Sequence, residues 1–503
     1  MNWLLTIVTF LPLVGVLAIL LTNPPKRGSE NLVRGIAVAT SVVTFLGTLL
    51  ILMRYDPAVA GLQMIDRFDW IPSWGIQYFL AVDGLSILMV LLTSFISMLA
   101  IASTWNAIHT QVKQFYIFIL LLEMGMMGVF LAQDLFLFYI FWEFTLVPMY
   151  FLIGIWGGAR RVYASIKFFL YTMAASLLML LAILYMGITN GTFALPDLIA
   201  GRAAFAGAQN LLFIGFFLAF AVKVPIFPFH SWLPDAHTEA PTAGSIILAG
   251  VLLKMGTYGL IRFNLPLFPE ASYKYAPFIA VLAIIGIIYG AVVSFAQKDV
   301  KKLVAYSSIS HLGFVTLGIF SLNAAGIQGA ILQGVNHGLS TGALFFLVGV
   351  LYEQTHTRDM AAYGGVWKIM PVFSVLSLIV VLSSMGLPGL NGFVGEFTIL
   401  LGSMGAESLA PRPWIFTAFA TTGVILAAVY LLWMFQRVFM GPAETPQVKG
   451  LREMNRGELA IMLSFLLFIF WIGIAPSLYF HLMDSSVSAL VADISNAVVA
   501  LGR

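Results

Sequence analysis

Seven ionisable side chains stand inside stretches of the sequence that are otherwise apolar enough to lie in a membrane. They are Glu123, Glu143, Lys223, Lys254, His311, His337 and Glu396. A charged group at the centre of a bilayer costs about 2.5–3.5 kcal/mol on insertion scales, so such residues are rare there and usually face a polar interior. Carboxyl, amine and imidazole groups can each bind and release a proton. The chemistry that this set could perform is therefore proton transfer along a buried route.

Lys254 is predicted to lie deepest in the membrane. Pro241 indicates the start of its helix, because proline is favoured in the first turn. The 13 residues from Pro241 to Lys254, at about 1.5 Å each, carry the lysine about 20 Å along the helix, past the bilayer midplane. Glu143 is expected about 12 Å into its own helix. Pro148 follows Glu143 and leaves the carbonyl of Phe144 without its helical donor, which predicts a polar notch beside the carboxylate.

Two predicted helices are interrupted next to an ionisable residue. Pro225 and Pro228 follow Lys223, and Pro388, in a glycine-rich stretch, precedes Glu396. Broken helices at membrane depth are tolerated where they are buried or line a wet cavity, and they are typical of ion and substrate pathways. The two breaks lie in predicted helices seven and twelve, which are five spans apart. Because successive spans cross the membrane in opposite directions, helices separated by an odd number of spans run in opposite directions. This arrangement predicts an inverted repeat.

The composition places these residues in an integral membrane protein. Of the 503 residues, 60% are hydrophobic and only 9% are charged, against about 25% charged residues in soluble domains. The mean hydropathy is +0.98. These values exclude a soluble enzyme, a nucleic-acid-binding protein and a disordered chain. The absence of cysteine excludes iron–sulfur clusters and thiolate zinc sites held by this chain.

The apolar runs predict an all-α fold with about fourteen transmembrane helices. The expected spans are residues 3–21, 32–53, 80–103, 115–132, 135–156, 165–186, 211–229, 241–263, 275–296, 300–320, 326–351, 371–401, 413–438 and 458–476. The first span lacks a preceding basic segment, so it is expected to be a membrane helix rather than a cleaved signal peptide. The predicted organisation is helices 1–3 in residues 1–114, a five-helix repeat in 115–263, its inverted counterpart in 275–438, and helix 14 with a tail in 439–503.

The basic residues predict the orientation of the bundle. Sixteen lysines and arginines, among them Lys26 and Arg27, fall in loops after odd-numbered spans, whereas seven, among them Arg503, fall on the other side. Because basic residues are concentrated in cytoplasmic loops, the first set is expected to be cytoplasmic and both termini periplasmic. Lys223 and Lys254 alone are left inside predicted spans.

Structural roles for the buried charges stay open at this point. Glu143, Lys223 and Lys254 could form a buried ion pair that only fixes helix register, although such pairs stabilise poorly. Glu123 is either a further member of the set or a polar contact between helices. A lone buried histidine is more often a hydrogen-bonded core residue than a proton carrier. His311, however, has serine neighbours at helical spacing, which favours a hydrated stripe.

Other sites are not predicted. The sequence contains no dinucleotide-binding fingerprint, no P-loop and no cluster with metal-ligand spacing. His230 and His237 follow the seventh span together with Asp235 and Glu239. We expect these four residues to organise their loop rather than to bind a metal.

Three segments resemble the antiporter-like membrane subunits of NADH:quinone oxidoreductase, respiratory complex I. Residues 141–150 resemble the fifth helix of that family, residues 222–258 its seventh and eighth helices, and residues 386–397 its twelfth helix. The middle segment, with the sequence HSWLPDAH at 230–237, is the most specific. The resemblance covers nearly the whole chain. Related antiporter subunits usually place a lysine where Glu396 stands, so Glu396 favours one branch of the family.

The resemblance implies a proton-translocating subunit driven by quinone reduction elsewhere in the complex. It implies a proton path whose residues are Glu143, Lys223, Lys254, His311, His337 and Glu396, with Glu123 as an additional candidate. The implied partners are sister subunits L and N, other membrane-arm subunits and lipids, with no nucleic acid. NADH, FMN, iron–sulfur clusters and quinone would be bound elsewhere in the complex and none of them by this chain. The implied location is the bacterial inner membrane.

A switch at Lys223 is the mechanistic hypothesis. Pairing with Glu143 would keep Lys223 charged, and opening of the pair would send the proton to Lys254 and onward past the two histidines to Glu396. Transfer from cytoplasm to periplasm is implied by the family and not by the residues. Three other functions stay open: a subunit of a Na⁺/H⁺ antiporter without a redox partner, a small-solute transporter, and a non-pumping structural subunit.

Overall fold

The computed structural model describes residues 3–22 and 29–499. Lys26, Arg27 and Arg503, which contributed to the predicted orientation, lie outside the described residues. The helices are α1 (Leu4–Leu21), α2 (Ser29–Arg54), α3 (Ile87–Ser103), α4 (Val112–Leu131), α5 (Leu135–Phe144), α6 (Leu146–Trp156), α7 (Arg161–Asn190), α8 (Leu195–Ala200), α9 (Gln209–Lys223), α10 (Trp232–Glu239), α11 (Thr242–Leu267), α12 (Pro269–Phe295), α13 (Val300–Phe320), α14 (Ala324–Thr355), α15 (Val366–Ile369), α16 (Pro371–Ser384), α17 (Asn391–Met404), α18 (Pro413–Phe439), α19 (Pro446–Lys449), α20 (Arg456–Ile474) and α21 (Ser477–Val499). Two strands, β1 (Gln63–Ile71) and β2 (Ile76–Val82), form a hairpin.

The predicted helical membrane protein is confirmed. Within residues 3–22 and 29–499, 13 helical segments are long and apolar enough to cross a membrane. Twelve of these segments coincide with predicted spans, and the thirteenth is α21. Helices α3 and α16 are shorter, with 17 and 14 residues, but they occupy the two remaining predicted spans. Each of the fourteen predicted spans therefore contains a helix.

The structure also contains a β-hairpin that was not predicted. Strand β1 pairs antiparallel with β2, whereas a span was expected to begin at residue 80. The run from Tyr78 to Val82 is continuously apolar, and periodicity alone cannot separate a buried strand from a helix in such a run. Pairing with β1 decides the outcome. Asp83 then ends the strand, because its carboxylate accepts the backbone N–H groups of Leu85 and Ser86 and prepares the start of α3.

Helix α21 was not predicted, because residues 439–503 were expected to hold one helix and a tail. Its partners all lie at one end of the bundle: Ser486 Oγ accepts from the backbone N–H of Gly84 at 3.0 Å, and Asp493 pairs with Arg202 at 2.7 Å. Both partners belong to connections on the side of the even-numbered loops. Helix α21 therefore lies across this end instead of crossing the bundle.

The two interrupted helices appear as helix–loop–helix units. Helix α9 ends at Lys223 and α10 begins at Trp232, so the span predicted to reach residue 229 ends six residues earlier. Helix α16 ends at Ser384 and α17 begins at Asn391. Helices α5 and α6 meet at Thr145, three residues before Pro148, as the freed carbonyl predicts.

The centre of the bundle is formed by α11, α13 and α14. All of the apolar stretch of α11 is buried, as is 94% of the stretch in α13 and in α14. Helix α11 begins at Thr242 with Pro241 at its N-cap, which confirms the predicted start. It also contains two π-helical turns, Leu248–Leu252 and Leu260–Asn264. These central helices carry Lys254, His311 and His337.

Candidate proton-transfer site

Lys254 and His337 are in direct contact between α11 and α14. Lys254 Nζ lies 2.6 Å from His337 Nδ1 and also donates to the carbonyl of Ala249. Ala249 belongs to the first π-helical turn of α11. Lys254 is 0% exposed and His337 is 3% exposed. An amine and an imidazole joined by one hydrogen bond can exchange a proton without solvent.

His311 and Glu396 form a second contact between α13 and α17. His311 Nδ1 lies 2.7 Å from Glu396 Oε1, and Gln333 Nε2 of α14 donates to the same oxygen at 3.0 Å. On the other side of the ring, the Tyr430 hydroxyl of α18 lies 3.2 Å from His311 Nε2. All four side chains are buried. Four helices thus fix the orientation of this imidazole and this carboxyl group.

A small polar cavity lies beside the two histidines. The ring centroids of His311 and His337 are 6.1 Å apart. The cavity has a volume of about 10 Å³, the volume that about one water molecule needs. It is lined by His311, Gln333, Asn336, His337, Ser340, Thr341, Ser383, Ser384 and Gly392. Its polar lining suits a hydrogen-bonded connection between the two contacts.

The second helix break is tied to α14 by side-chain amides. Asn336 Nδ2 donates to the carbonyl of Asn391 at 2.7 Å, and Asn391 Nδ2 donates to the carbonyl of Asn336 at 3.3 Å. Asn391 Oδ1 accepts from the hydroxyl of Ser383. Pro388 itself is exposed. The break therefore supplies polar partners on its inner side and places Glu396 one turn beyond them.

Lys223 and Glu143 are held apart in this structure. Their charged atoms are farther apart than the 4.0 Å that defines an ion pair, and Lys223 Nζ has no hydrogen-bond partner among the described residues. The ammonium group lies 5.2 Å from the ring centre of Trp142 and 5.7 Å from that of Phe168. The carboxylate of Glu143 instead accepts a hydrogen bond from Ser176 Oγ. The two groups are therefore not paired in this structure.

Two backbone carbonyl groups at the first helix break have hydrogen-bond partners. The carbonyl of Ala221 accepts from the backbone N–H of Ile226 at 2.8 Å. The carbonyl of Val222 accepts from Trp232 Nε1 at 2.8 Å. The connection that contains Pro225 and Pro228 therefore leaves the end of α9 hydrogen-bonded, with Lys223 as its last residue.

Helix α9 packs against α11 next to Lys223. A Cβ atom added to Gly256 would lie 3.1 Å from the Cβ of Lys223. Gly256 is two residues after Lys254, and residues two apart on a helix point to nearly opposite faces, so the side chain of Lys254 leads away from this contact and toward His337. Helix α9 can approach α11 this closely because Gly256 has no side chain.

The structure does not bring Glu123 into the network: its carboxylate is buried, and neither oxygen has a hydrogen-bond partner among the described residues.

Some partners of the site could not be read from the sequence. Ser176 and Tyr430 stand in apolar helices 33 and 119 residues from their partners, and nothing local marks them. His237 was expected to organise its loop. It is fully buried and stacks on Phe345 with ring centroids 4.5 Å apart. No group of three or more His, Cys, Asp or Glu side chains that could hold a metal ion occurs in the described parts of the chain.

The fold and the site define a helical membrane protein of many spans, in which buried acid, amine and imidazole groups meet beside interrupted helices. Residues 132–427 match the family model described as "NADH:quinone oxidoreductase/Mrp antiporter, TM". The chain belongs to this family, which confirms the predicted resemblance.

Individual relatives match nearly the full length. The chain is 45% identical to NADH-quinone oxidoreductase subunit M of Rhodobacter capsulatus, covering 98% of this chain and 97% of the relative. It is 42% identical to NADH-ubiquinone oxidoreductase chain 4 of Marchantia polymorpha, covering 96% and 95%. Its structure matches a chain of respiratory complex I from Thermus thermophilus with a TM-score of 0.87 and 32% identity, covering 97% of this chain and 99% of that one.

Proposed function

We propose that this chain is the M-type membrane-arm subunit of an NADH:quinone oxidoreductase and moves protons from cytoplasm to periplasm, driven by quinone reduction elsewhere in the complex. The observation that carries the proposal is the pair of contacts Lys254–His337 and His311–Glu396, 2.6 and 2.7 Å long, which flank a small polar cavity. Each contact joins two groups that exchange protons.

The proposed route begins at the open pair of Glu143 and Lys223. A proton released by Lys223 passes to Lys254, on the neighbouring helix α11, and then to His337. From there it crosses the polar cavity to His311 and leaves through Glu396. Glu123 is a proposed additional member, because a buried carboxyl group without partners is costly to keep for structure alone.

The breaks support a division of the chain into two related halves. We propose an inverted repeat of residues 115–263 and 275–438, preceded by helices 1–3 in 1–114 and followed by residues 439–503. The α9–α10 break falls in the first half and the α16–α17 break in the second. Each break adjoins a buried ionisable residue of the route, Lys223 or Glu396.

The proposed partners and location are supported by the relatives and the composition. We propose sister subunits L and N, other membrane-arm subunits and lipids as neighbours, with no nucleic acid, in a bacterial inner membrane. The loops after odd-numbered spans face the cytoplasm and both termini the periplasm. NADH, FMN, iron–sulfur clusters and quinone are assigned to other subunits. The chain has no cysteine to ligate a cluster.

The test uses the assembled complex in liposomes. Glu396→Gln and Lys254→Met are expected to assemble but to lower proton translocation about tenfold or more, because each removes a proton carrier. Glu444→Gln, the same kind of change at an exposed residue, is the control and should pump normally. Normal pumping by an assembled Glu396→Gln complex contradicts the proposed route and favours a structural subunit.

Purification of the complex distinguishes the proposed function from that of a Na⁺/H⁺ antiporter subunit. A chain that works in NADH:quinone oxidoreductase co-purifies with flavin-containing and iron–sulfur-containing subunits. A Na⁺/H⁺ antiporter subunit without redox coupling would co-purify with neither, and its transport would not respond to NADH. Absorbance and metal content of the tagged complex distinguish the two outcomes.

A further inference from the structure

We propose that Glu143 and Lys223 each have an alternative partner when they are not paired with each other. Ser176 binds the carboxylate of Glu143, and an aromatic pocket formed by Trp142 and Phe168 binds the ammonium group of Lys223, so that both stabilise the open form of the pair. Opening would otherwise leave an ammonium and a carboxylate without partners inside the protein. The proposal rests on the proposed role of Glu143 and Lys223 in proton transfer, and it assigns Ser176, Trp142 and Phe168 as positioning residues.

The aromatic pocket accounts for the position of the lysine. Lys223 is 0% exposed and its Nζ makes no hydrogen bond within the described chain. Both ring centres lie within the 6 Å over which an aromatic face attracts a cation, and tryptophan is the strongest of the three aromatic residues in this role. The attraction grows when the cation is desolvated, as it is here.

Ser176 accounts for the position of the carboxylate. Its hydroxyl is fully buried and contacts both the carboxylate of Glu143 and the carbonyl of Met173, the latter at 3.0 Å. A serine hydroxyl has one proton to donate, so it serves one acceptor at a time. When Glu143 leaves for Lys223, the hydroxyl turns to Met173, and no buried donor is stranded. The serine can therefore release its partner without a desolvation cost.

The arrangement separates pair opening from proton release. Aromatic faces attract the charged ammonium and not the neutral amine. Lys223 can therefore leave Glu143 while it still carries its proton, and release follows as a second step. Trp142 and Glu143 are neighbours in α5, and Phe168 and Ser176 both lie in α7, so one helix pair supplies both holding sites.

The experiment compares Trp142→Leu, Trp142→Phe and Ser176→Ala in the assembled complex. The matched control is Phe138→Leu, because Phe138 is buried against Trp142 at 5.6 Å but is not among the rings that face Lys223. Trp142→Leu is expected to lower NADH–quinone turnover roughly fivefold, with Trp142→Phe intermediate, because phenylalanine keeps a weaker cation-binding face. Phe138→Leu should stay within about twofold of wild type.

An infrared measurement reports on the carboxyl group of Glu143 directly, so a change in packing elsewhere does not alter it. Turnover-induced difference spectra should contain a carboxyl band that Glu143→Gln removes. Ser176→Ala should shift this band, Ser176→Thr should restore its position, and Phe138→Leu should leave it unchanged. Equal turnover loss in Trp142→Leu and Phe138→Leu, or a band unmoved by Ser176→Ala, overturns the inference. If Glu143→Gln and Lys223→Ala themselves pump normally, the proposed function fails instead.

Discussion

His337 presents one ring nitrogen to Lys254 and keeps the other unengaged. Nδ1 lies 2.6 Å from Lys254 Nζ, whereas Nε2 has no hydrogen-bond partner among the described residues. The ring also borders the polar cavity shared with His311. An imidazole can accept a proton at one nitrogen and give it up at the other. The geometry therefore suits His337 to relay a proton between Lys254 and the cavity.

Replacing His337 by glutamine tests this relay. Glutamine keeps a polar side chain of similar reach but cannot take up a proton. We expect His337→Gln to assemble and to lose about tenfold or more of its NADH-driven proton translocation, measured with a pH-sensitive dye in liposomes. His356→Gln, at the C-cap of α14 and outside the site, serves as the control. Full activity of His337→Gln would exclude the imidazole from the route.

Removing the Tyr430 hydroxyl should weaken the site without abolishing it. The hydroxyl lies 3.2 Å from His311 Nε2, and a buried nitrogen that loses its partner costs about 1–3 kcal/mol. We expect Tyr430→Phe to lower turnover about threefold and to reduce the thermal midpoint of the complex by a few degrees. Tyr185→Phe removes a hydroxyl from a tyrosine that is 49% exposed and should change neither. An unaltered Tyr430→Phe complex would show that His311 is positioned by Glu396 alone.

The buried ion pair of Arg262 and Asp83 is expected to dominate stability at one end of α11. Arg262 donates two hydrogen bonds to Asp83, one of them 2.7 Å long, and both residues are buried. Breaking such a pair leaves an uncompensated buried charge and costs about 3–5 kcal/mol. We expect Asp83→Asn to reduce assembled complex strongly. The exposed pair of Arg67 and Asp197, 3.1 Å apart, is the comparison, and Asp197→Asn should cost about 1 kcal/mol or less.

Asp134 should make stability depend on pH. It lies in the connection between α4 and α5, where burial raises the pKa of its carboxyl group to about 6. The folded chain therefore binds this proton more tightly than the unfolded chain, whose carboxyl pKa is about 3.9. Stability contributed by Asp134 falls as pH rises from about 4 to 6.

The variant Asp134→Asn isolates this effect. Asparagine keeps an oxygen that can accept the N–H groups of Phe136 and Leu137, as Asp134 does, but it does not ionise. Its amide nitrogen cannot accept the backbone N–H of Gln77, which Asp134 Oδ2 accepts at 3.1 Å. Apart from a constant offset for this lost bond, the thermal midpoint of the variant in detergent should lose the slope between pH 4 and 6. Asp299→Asn, at the N-cap of α13 and paired with Arg358 at 3.3 Å, should be destabilising at pH 7. Equal slopes in wild type and Asp134→Asn would contradict the prediction.

The membrane helices were predictable because an apolar run of about 20 residues needs no knowledge of its neighbours. The depth of Lys254 followed from counting residues after Pro241. Strand β2 was not predicted, because a short apolar run is compatible with both a buried helix and a buried strand. Helix α21 escaped because its apolar residues, Met483, Val487 and Leu490 among them, form a stripe rather than a run.

The members of the candidate site could be proposed one by one from the sequence, but their contacts could not. Lys254 and His337 are 83 residues apart, and His311 and Glu396 are 85 apart, so only the packing of α11, α13, α14 and α17 pairs them. The scarcity of buried charge marked the four residues individually. Glu143 and Lys223 contact Ser176 and aromatic faces instead of each other, and these are ordinary residues in an apolar sequence.

The π-helical turn Leu248–Leu252 determines the direction in which every later side chain of α11 projects from the helix axis. Such a turn holds one residue more than an α-helical turn, and one residue corresponds to about 100° of rotation and 1.5 Å of rise. Lys254 comes two residues after this turn. Deleting a single residue from it would swing the lysine away from His337 while its charge and burial stayed the same. The additional residue in this turn therefore orients the side chain of Lys254 toward His337.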